Sequence, residues 1–265
     1  MQVVSVHRGD GPIVLGQPHG GTYVPDDIAT RFNNTGRALA DTDWHINRLY
    51  TGLIGGVTVV QSHVHRYVID ANRDPEGLSL YPGQNTTTLV PLTDFDGQSI
   101  WQSGQEPSED EIGQRRETFH APYHAALTEE LERVRAIHGV AVLFDCHSIR
   151  SHIPFLFEGT LFDMNIGTDG GVTCASGIES IANEFATSSP YSTILNGRFR
   201  GGWTTRHYGR PHEGLHAIQM ELAQSTYLSA ESPPWPYDPA KADRLRHWLH
   251  DILEAIQDTA LETTP

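Results

Sequence analysis

Along the chain, short apolar runs rich in β-branched residues alternate with stretches whose apolar positions recur every three or four residues. The runs fall at Ile13 to Leu15, Val57 to Val60, Val140 to Phe144, Ser192 to Leu195 and Leu215 to Leu222. Continuous apolar runs of this length predict strands buried on both faces. Helical spacing covers Asp43 to Ile54, Ser108 to His138, Ser176 to Ala186 and about Pro239 to Leu261. In the second of these, Ser108 and Glu111 form a capping box. Ile112, Phe119, Tyr123, Leu127, Leu131 and Val134 then recur on one face, which predicts a core-packing helix kinked at Pro122. Residues 75–104 and 229–237 are rich in Gly, Pro, Thr and Ser without a period and predict loops. The alternation of strands and helices predicts an α/β sandwich forming a single domain over residues 1–265.

Composition narrows the partners. At 265 residues and 38% hydrophobic, the chain can bury one large core. Lys and Arg total 18 against 33 Asp and Glu, a net charge of −15. That balance excludes a sequence-independent grip on nucleic acid or on an anionic membrane, leaving a small molecule as the expected partner. If that molecule is anionic, local arginines must offset the field of the whole protein. The two cysteines, Cys146 and Cys174, are too few for a disulfide framework and form no CxxC motif. Met1 to Leu15 has no basic segment leading into a long apolar one, and no run approaches the roughly 18 apolar residues of a membrane span, so a cytoplasmic protein is expected.

Chemistry gathers where strands end. Ile13-Val-Leu-Gly-Gln-Pro-His19-Gly-Gly21 carries an apolar run into a histidine and two glycines, the place where open α/β sheets build sites. Val140-Ala-Val-Leu-Phe-Asp-Cys-His147 repeats the pattern, and alternation puts Asp145 on the face of His147, able to fix its tautomer. Two histidines at a catalytic metal need an acidic companion. Asp43, in Asp41-Thr-Asp43-Trp-His45, is the chosen third ligand, with Asp41 and His45 as rivals and helix capping as its ordinary role. Glu221 ends the apolar run Leu215 to Leu222, and a buried glutamate there suits a general base for water and an acid for a departing amine. Asn72 with Arg73, and the stretch holding Asn196, Arg198, Arg200, Thr205 and Arg206, mix guanidinium and amide groups in expected loops. They read as carboxylate clamps. Arg200 or Arg206 is the expected stabiliser of an oxyanion. Arg66 and Arg210 are better read as ordinary ion pairs.

Taken in order, PHGG at 18–21, DTDWHI at 41–46, VIDANR at 68–73, LFDCHSIRS at 143–151, NGRFRGGWTTRHYG at 196–209 and QMELAQSTY at 219–227 resemble the N-formylglutamate amidohydrolases of histidine degradation. The resemblance covers nearly the whole chain. It implies a zinc-dependent exopeptidase-like fold, a three-layer α/β/α sandwich with a central mixed sheet and one zinc ion at its strand ends. By the same resemblance His19, Asp43 and His147 hold the metal, Glu221 is the acid/base, and Asn72 and Arg73 grip a carboxylate of N-formyl-L-glutamate. The acid that carboxypeptidases place just after their first histidine is absent, so Asp43 takes that place from a distance. Two other readings stand beside this one: an amidase of the same fold acting on another N-acyl amino acid or on peptidoglycan, and a small-molecule binding protein without turnover.

Overall fold

The structure, a computed structural model, describes residues 2–79 and 85–262. The predicted loop at 75–104 lies partly outside them. Seven strands form one mixed sheet: β1 (Val4–His7), β2 (Ile13–Gln17), β3 (Thr58–Ser62), β4 (Ala141–Ile149), β5 (Met164–Gly167), β6 (Thr193–Leu195) and β7 (Leu215–Ala223), in the order β1-β3-β2-β4-β7-β5-β6. β3, β2, β4 and β7 are mutually parallel, while β1 and β5 run antiparallel to β3 and β7. The five expected strands are present. β1 and β5 were not expected: β1 is a half-buried edge strand, and β5 interrupts its apolar pattern with Asn165 and Gly167.

Helices α1 (Asp26–Ala29), α2 (Asn34–Arg37), α3 (Ile46–Tyr50), α4 (Glu109–Arg115), α5 (Ala121–His138), α6 (Ser176–Ser188), α7 (Trp203–Tyr208) and α8 (Pro239–Glu262) complete the fold. Alternation along the strands divides the core. Ile13, Leu15, Val142, Phe144, Ile218 and Met220 face α3, α6 and α8, where Leu245, Leu249 and Ile252 cover them. Val14, Val60, Leu143 and Ala217 face Tyr123, Leu127, Leu131 and Val134 of α5. The result is the expected three-layer sandwich.

The long predicted helix is continuous but changes pitch. Ser108 caps α4 by accepting from Glu111 N, and a π-helical turn, Arg116–His120, joins α4 to α5. Pro122 follows closely on this turn and brings no N–H to the helical ladder. The change in phase falls at the π turn just ahead of the proline. It divides the apolar stripe: Ile112 and Phe119 pack into a separate cluster with Phe32, Tyr67 and Trp101, while Tyr123 onward lies on the sheet. The helix expected from Asp43 is shorter at both ends: His45 takes a left-handed conformation (φ 60°) before α3 begins, and Thr51 leaves the helical region (ψ 123°) ahead of Gly52 at φ 64°.

Candidate active site

β2 has β3 on one side and β4 on the other, so the chain crosses in opposite directions from it, and the crevice beyond the carboxyl ends of such strands is where ligands bind. His19 lies just past β2 and His147 near the end of β4. Along β4, Asp145 and His147 share the face toward α5. Along the parallel partner β7, Gln219 and Glu221 share that same face, and the register places Asp145 opposite Gln219 and His147 opposite Glu221. Two nine-residue strands, buried throughout, thus carry four polar side chains on the face toward α5.

His19 Nδ1 and His147 Nδ1 face each other at 3.2 Å. Asp43 Oδ2 stands 3.4 Å from His147 Nδ1 and 3.9 Å from His19 Nδ1. All three residues are buried, and one ligand atom from each lies within 4.8 Å of the others. Around a tetrahedral ion with bonds of about 2.0–2.1 Å, ligand atoms stand about 3.3 Å apart. The set therefore fits a metal ion. On the far side of the rings, His19 Nε2 donates to Asp70 Oδ1 at 2.7 Å, whereas His147 Nε2 has Asp145 Oδ1 at 3.1 Å and Asn72 Nδ2 at 3.2 Å beside it. Because a carboxylate only accepts, the Nδ1 of His19 is left with its lone pair toward the cluster. Asp43 Oδ2 is fixed by Ser148 N at 3.0 Å, whereas its Oδ1 is buried without a hydrogen-bond partner among the described residues, 3.7 Å from Arg66. Asp43 therefore caps no helix, and its carboxylate is aimed at the histidines. The rival acid Asp41 accepts from Phe95 N, and His45 bonds Trp235 O; both are held outside the cluster.

Electrostatics follow from burial. Burial disfavours the charged form of His147, but Asp145, Asp43 and Glu221 outweigh it and hold the imidazole well above the ordinary histidine value. For His19, burial reinforced by the Arg66 charge wins over Asp70 and Asp43, and the value is lowered. Burial raises Glu221 above the usual carboxylate range, with Asp43 adding to the push and His147 opposing it. A divalent ion beside it would favour the carboxylate. Gln219 Nε2 donates to Glu221 Oε2 at 3.1 Å, and Gln219 Oε1 accepts from Gly202 N at 2.7 Å.

These groups open onto a cavity of about 170 Å³ whose lining includes His19, Arg66, Asn72, Arg73, His147, Arg198, Gln219 and Glu221. Asn72 Nδ2 lies 3.2 Å from His147 Nε2, and its Oδ1 accepts from Thr204 N. Arg73 lines the cavity while bonding Thr87 and the Asn72 carbonyl.

Four of the expected clamp residues do not line it. Asn196 pairs its amide with Thr168, receiving Thr168 N and donating to Thr168 Oγ1. Thr205 is buried and donates to Asp145 Oδ2 at 3.1 Å. Arg206 bonds Gly201 O and lies 3.2 Å from Asp169, and Arg200 is exposed. The expected oxyanion role of Arg200 or Arg206 has no geometric support, because the end of this supposed loop folds into α7 and turns Arg206 away. Conversely, Arg66 is an ion pair as expected, yet it pairs with Asp70 at 2.6 Å inside the cavity wall. Asp70 and Gln219 were not singled out from sequence. The signal for Asp70 was present: an acid closing the apolar pair Val68-Ile69, the same pattern that marks Asp145 and Glu221.

The family model of the N-formylglutamate amidohydrolases matches residues 11–228. N-formylglutamate deformylase of Pseudomonas aeruginosa is 41% identical over 260 residues, spanning 96% of each chain. The deformylase of Pseudomonas putida is 42% identical over 257 residues, again 96% of each. The crystal structure of N-formylglutamate amidohydrolase from Ralstonia eutropha superposes with a TM-score of 0.79 at 21% identity, covering 96% of this chain and 98% of that one, a likeness of fold. With a matched span that runs from β2 through β7 and takes in every residue of the buried cluster, this chain belongs to the N-formylglutamate amidohydrolase family.

Proposed function

We propose that the chain hydrolyses N-formyl-L-glutamate to formate and L-glutamate in a zinc-dependent reaction, in the cytoplasm, as the last step of a histidine degradation route. The observation that carries this reading is one cavity lined by Glu221, Asn72, Arg73 and the two histidines, His19 and His147, that form a buried cluster with Asp43. Family membership and the names of the Pseudomonas relatives supply the substrate.

His19 Nδ1, His147 Nδ1 and an Asp43 oxygen would hold the ion, leaving room for water as catalytic zinc sites do. When bound, zinc supplies Lewis acidity, lowering the pKa of water toward about 7 and polarising a carbonyl. The rest falls to side chains. Asn72 and Arg73 bind a substrate carboxylate and present the formyl carbon beside Glu221. Glu221, steered by Gln219, takes a proton from the attacking water at Oε1 or Oε2 and delivers it to the glutamate nitrogen as the C–N bond breaks. Asp70, which takes the Nε2 proton of His19 in a hydrogen bond, keeps the Nδ1 of that histidine unprotonated. The small cavity, lined in part by Phe95, Ile149 and Leu156, suits a one-carbon acyl group better than a peptidoglycan strand.

The experiment is formate and glutamate release from N-formyl-L-glutamate by zinc-loaded protein and by the same protein stripped with a chelator. Release that depends on zinc supports the proposal. No release with zinc demonstrably bound discards the substrate.

A further inference from the structure

Three arginines line the cavity, and they differ in what already holds them. Arg66 is buried, with Nη2 on Asp70 at 2.6 Å, Nη1 3.7 Å from Asp43, and its guanidinium over the Phe95 ring at 4.7 Å. Arg73 gives Nε and Nη2 to Thr87 and Nη1 to the Asn72 carbonyl, with Asp70 3.7 Å away. These two cations face two buried anions, Asp43 and Asp70. Arg198 is different. It makes one hydrogen bond, Nε to Leu156 O at 3.3 Å, and no carboxylate stands within ion-pair distance of it among the described residues. It is half-buried, and Ile149, Leu156 and Phe199 line the cavity beside it.

A half-buried guanidinium set beside apolar side chains and without an acidic partner among the described residues is open to an incoming carboxylate. The loop that carries it is also held in place. Asn196 N bonds Ile166 O at 2.7 Å and the Asn196 side chain grips Thr168, while Asp169 N bonds Arg200 O and Gly202 N bonds Gln219 Oε1. Anchored on both sides, Arg198 is presented to the cavity with little ordering left to do on binding.

We propose that Arg198 receives the side-chain carboxylate of the substrate and so determines the preference for an acidic over a neutral N-formyl amino acid. Its planar fork takes a carboxylate through Nη1 and Nη2, and the two methylenes of a glutamyl side chain lie along Ile149, Leu156 and Phe199. The other carboxylate is left to Asn72 and Arg73. This assignment rests on the deformylase reading above and identifies the residue behind its selectivity.

The test uses zinc-loaded full-length protein and measures kcat and KM for N-formyl-L-glutamate and for its neutral isostere N-formyl-L-glutamine, in native, Arg198→Met and Arg198→Lys forms. Methionine keeps the unbranched stem while removing the charge. The expected result is a native preference for the acid that falls tenfold or more in Arg198→Met, mainly through KM for N-formyl-L-glutamate, with part of it restored in Arg198→Lys. A smaller fall in the ratio, including equal loss on both substrates, overturns the assignment and makes the residue a loop support. If the native protein turns over neither substrate, the deformylase reading itself fails and the assignment falls with it.

Discussion

Replacing Asp70 by Asn changes one oxygen for a nitrogen and removes one charge, at a point where three functions meet. Asp70 is buried; its Oδ1 accepts from His19 Nε2 at 2.7 Å and Asn72 N at 2.9 Å, and its Oδ2 accepts from Arg66 Nη2 at 2.6 Å. Burial alone would raise this carboxyl, yet Arg66, Arg73 and His19 together hold it well below the usual carboxylate range. The amide leaves Arg66 short of its nearest anion. Breaking a buried pair costs about 3–5 kcal/mol, and the lower end applies because Arg66 keeps Asp43 at 3.7 Å. At about 2–4 °C per kcal/mol for a chain near this size, Tm of the metal-free protein should fall by roughly 6–12 °C. The amide also stops enforcing a proton on His19 Nε2, which weakens the metal ligand; loss of such a partner costs about 10–100-fold in metal affinity, or about 1.4–2.7 kcal/mol. Calorimetric melting of the stripped protein and zinc competition against a chromophoric chelator read the two effects separately. A folded Asp70→Asn protein with zinc affinity within twofold of native and an unchanged Tm would refute the account of Asp70 as the anchor of both His19 and Arg66.

Glu221→Gln should lower kcat about 10²–10⁴-fold while zinc remains bound, read by formate release with metal analysis of the same sample; retained turnover removes Glu221 as the proton carrier. Gly202→Ala would bring a Cβ to 2.4 Å from Asn72 Nδ2 and 2.6 Å from its Oδ1, so Asn72 must move; KM for N-formyl-L-glutamate should rise, at a stability cost of about 1–3 kcal/mol, and an unchanged KM contradicts the placement of Asn72. His124 Nε2 donates to Ala71 O at 2.8 Å and its Nδ1 lies 3.0 Å from the Tyr208 hydroxyl; the group is pushed down to about 3 by burial, with His120 adding to it. Between that value and the unfolded value of about 6.5 the unfolded chain binds the extra proton, so stability rises with pH across this window and is lost as pH falls through it. Urea unfolding from pH 7 to pH 4 should show a shallower pH slope in His124→Gln than in native protein, and equal slopes rule the group out. Leu249→Ala, which opens the fully buried face of α8, should cost about 2–5 kcal/mol by the same urea assay, and a cost under 1 kcal/mol would mean that this layer repacks freely.

The parts of the molecule most legible in the sequence are those set by local pattern. The buried strands show as apolar runs, and the chemistry shows where His147 or Glu221 breaks such a run. Asp43 was reachable only by asking what a third ligand must be, because the contact that fixes it, Ser148 N, comes from a strand 105 residues away. The arginines illustrate the limit. Arg66, Arg198, Arg200 and Arg206 are alike in a string of letters, and only packing separates the one tied to buried acids, the one facing the cavity, the exposed one and the one turned to Asp169. The π turn was illegible for a related reason. Apolar spacing from Ile112 to Val134 fits one uninterrupted stripe until two different surfaces are seen to receive its halves.

The register that puts His147 beside Glu221 has a consequence for how such a protein changes over time. The proposed ligand and proton carrier are spaced by the backbone ladder between two central strands, whereas the cavity arginine at 198 hangs on a segment between β6 and α7. On the proposed assignment, drift in that segment would trade one N-acyl amino acid for another without moving the His147 and Glu221 pair. Lineages built on this plan should diversify their diet by rewriting a handful of positions, while the hydrolytic step is inherited intact.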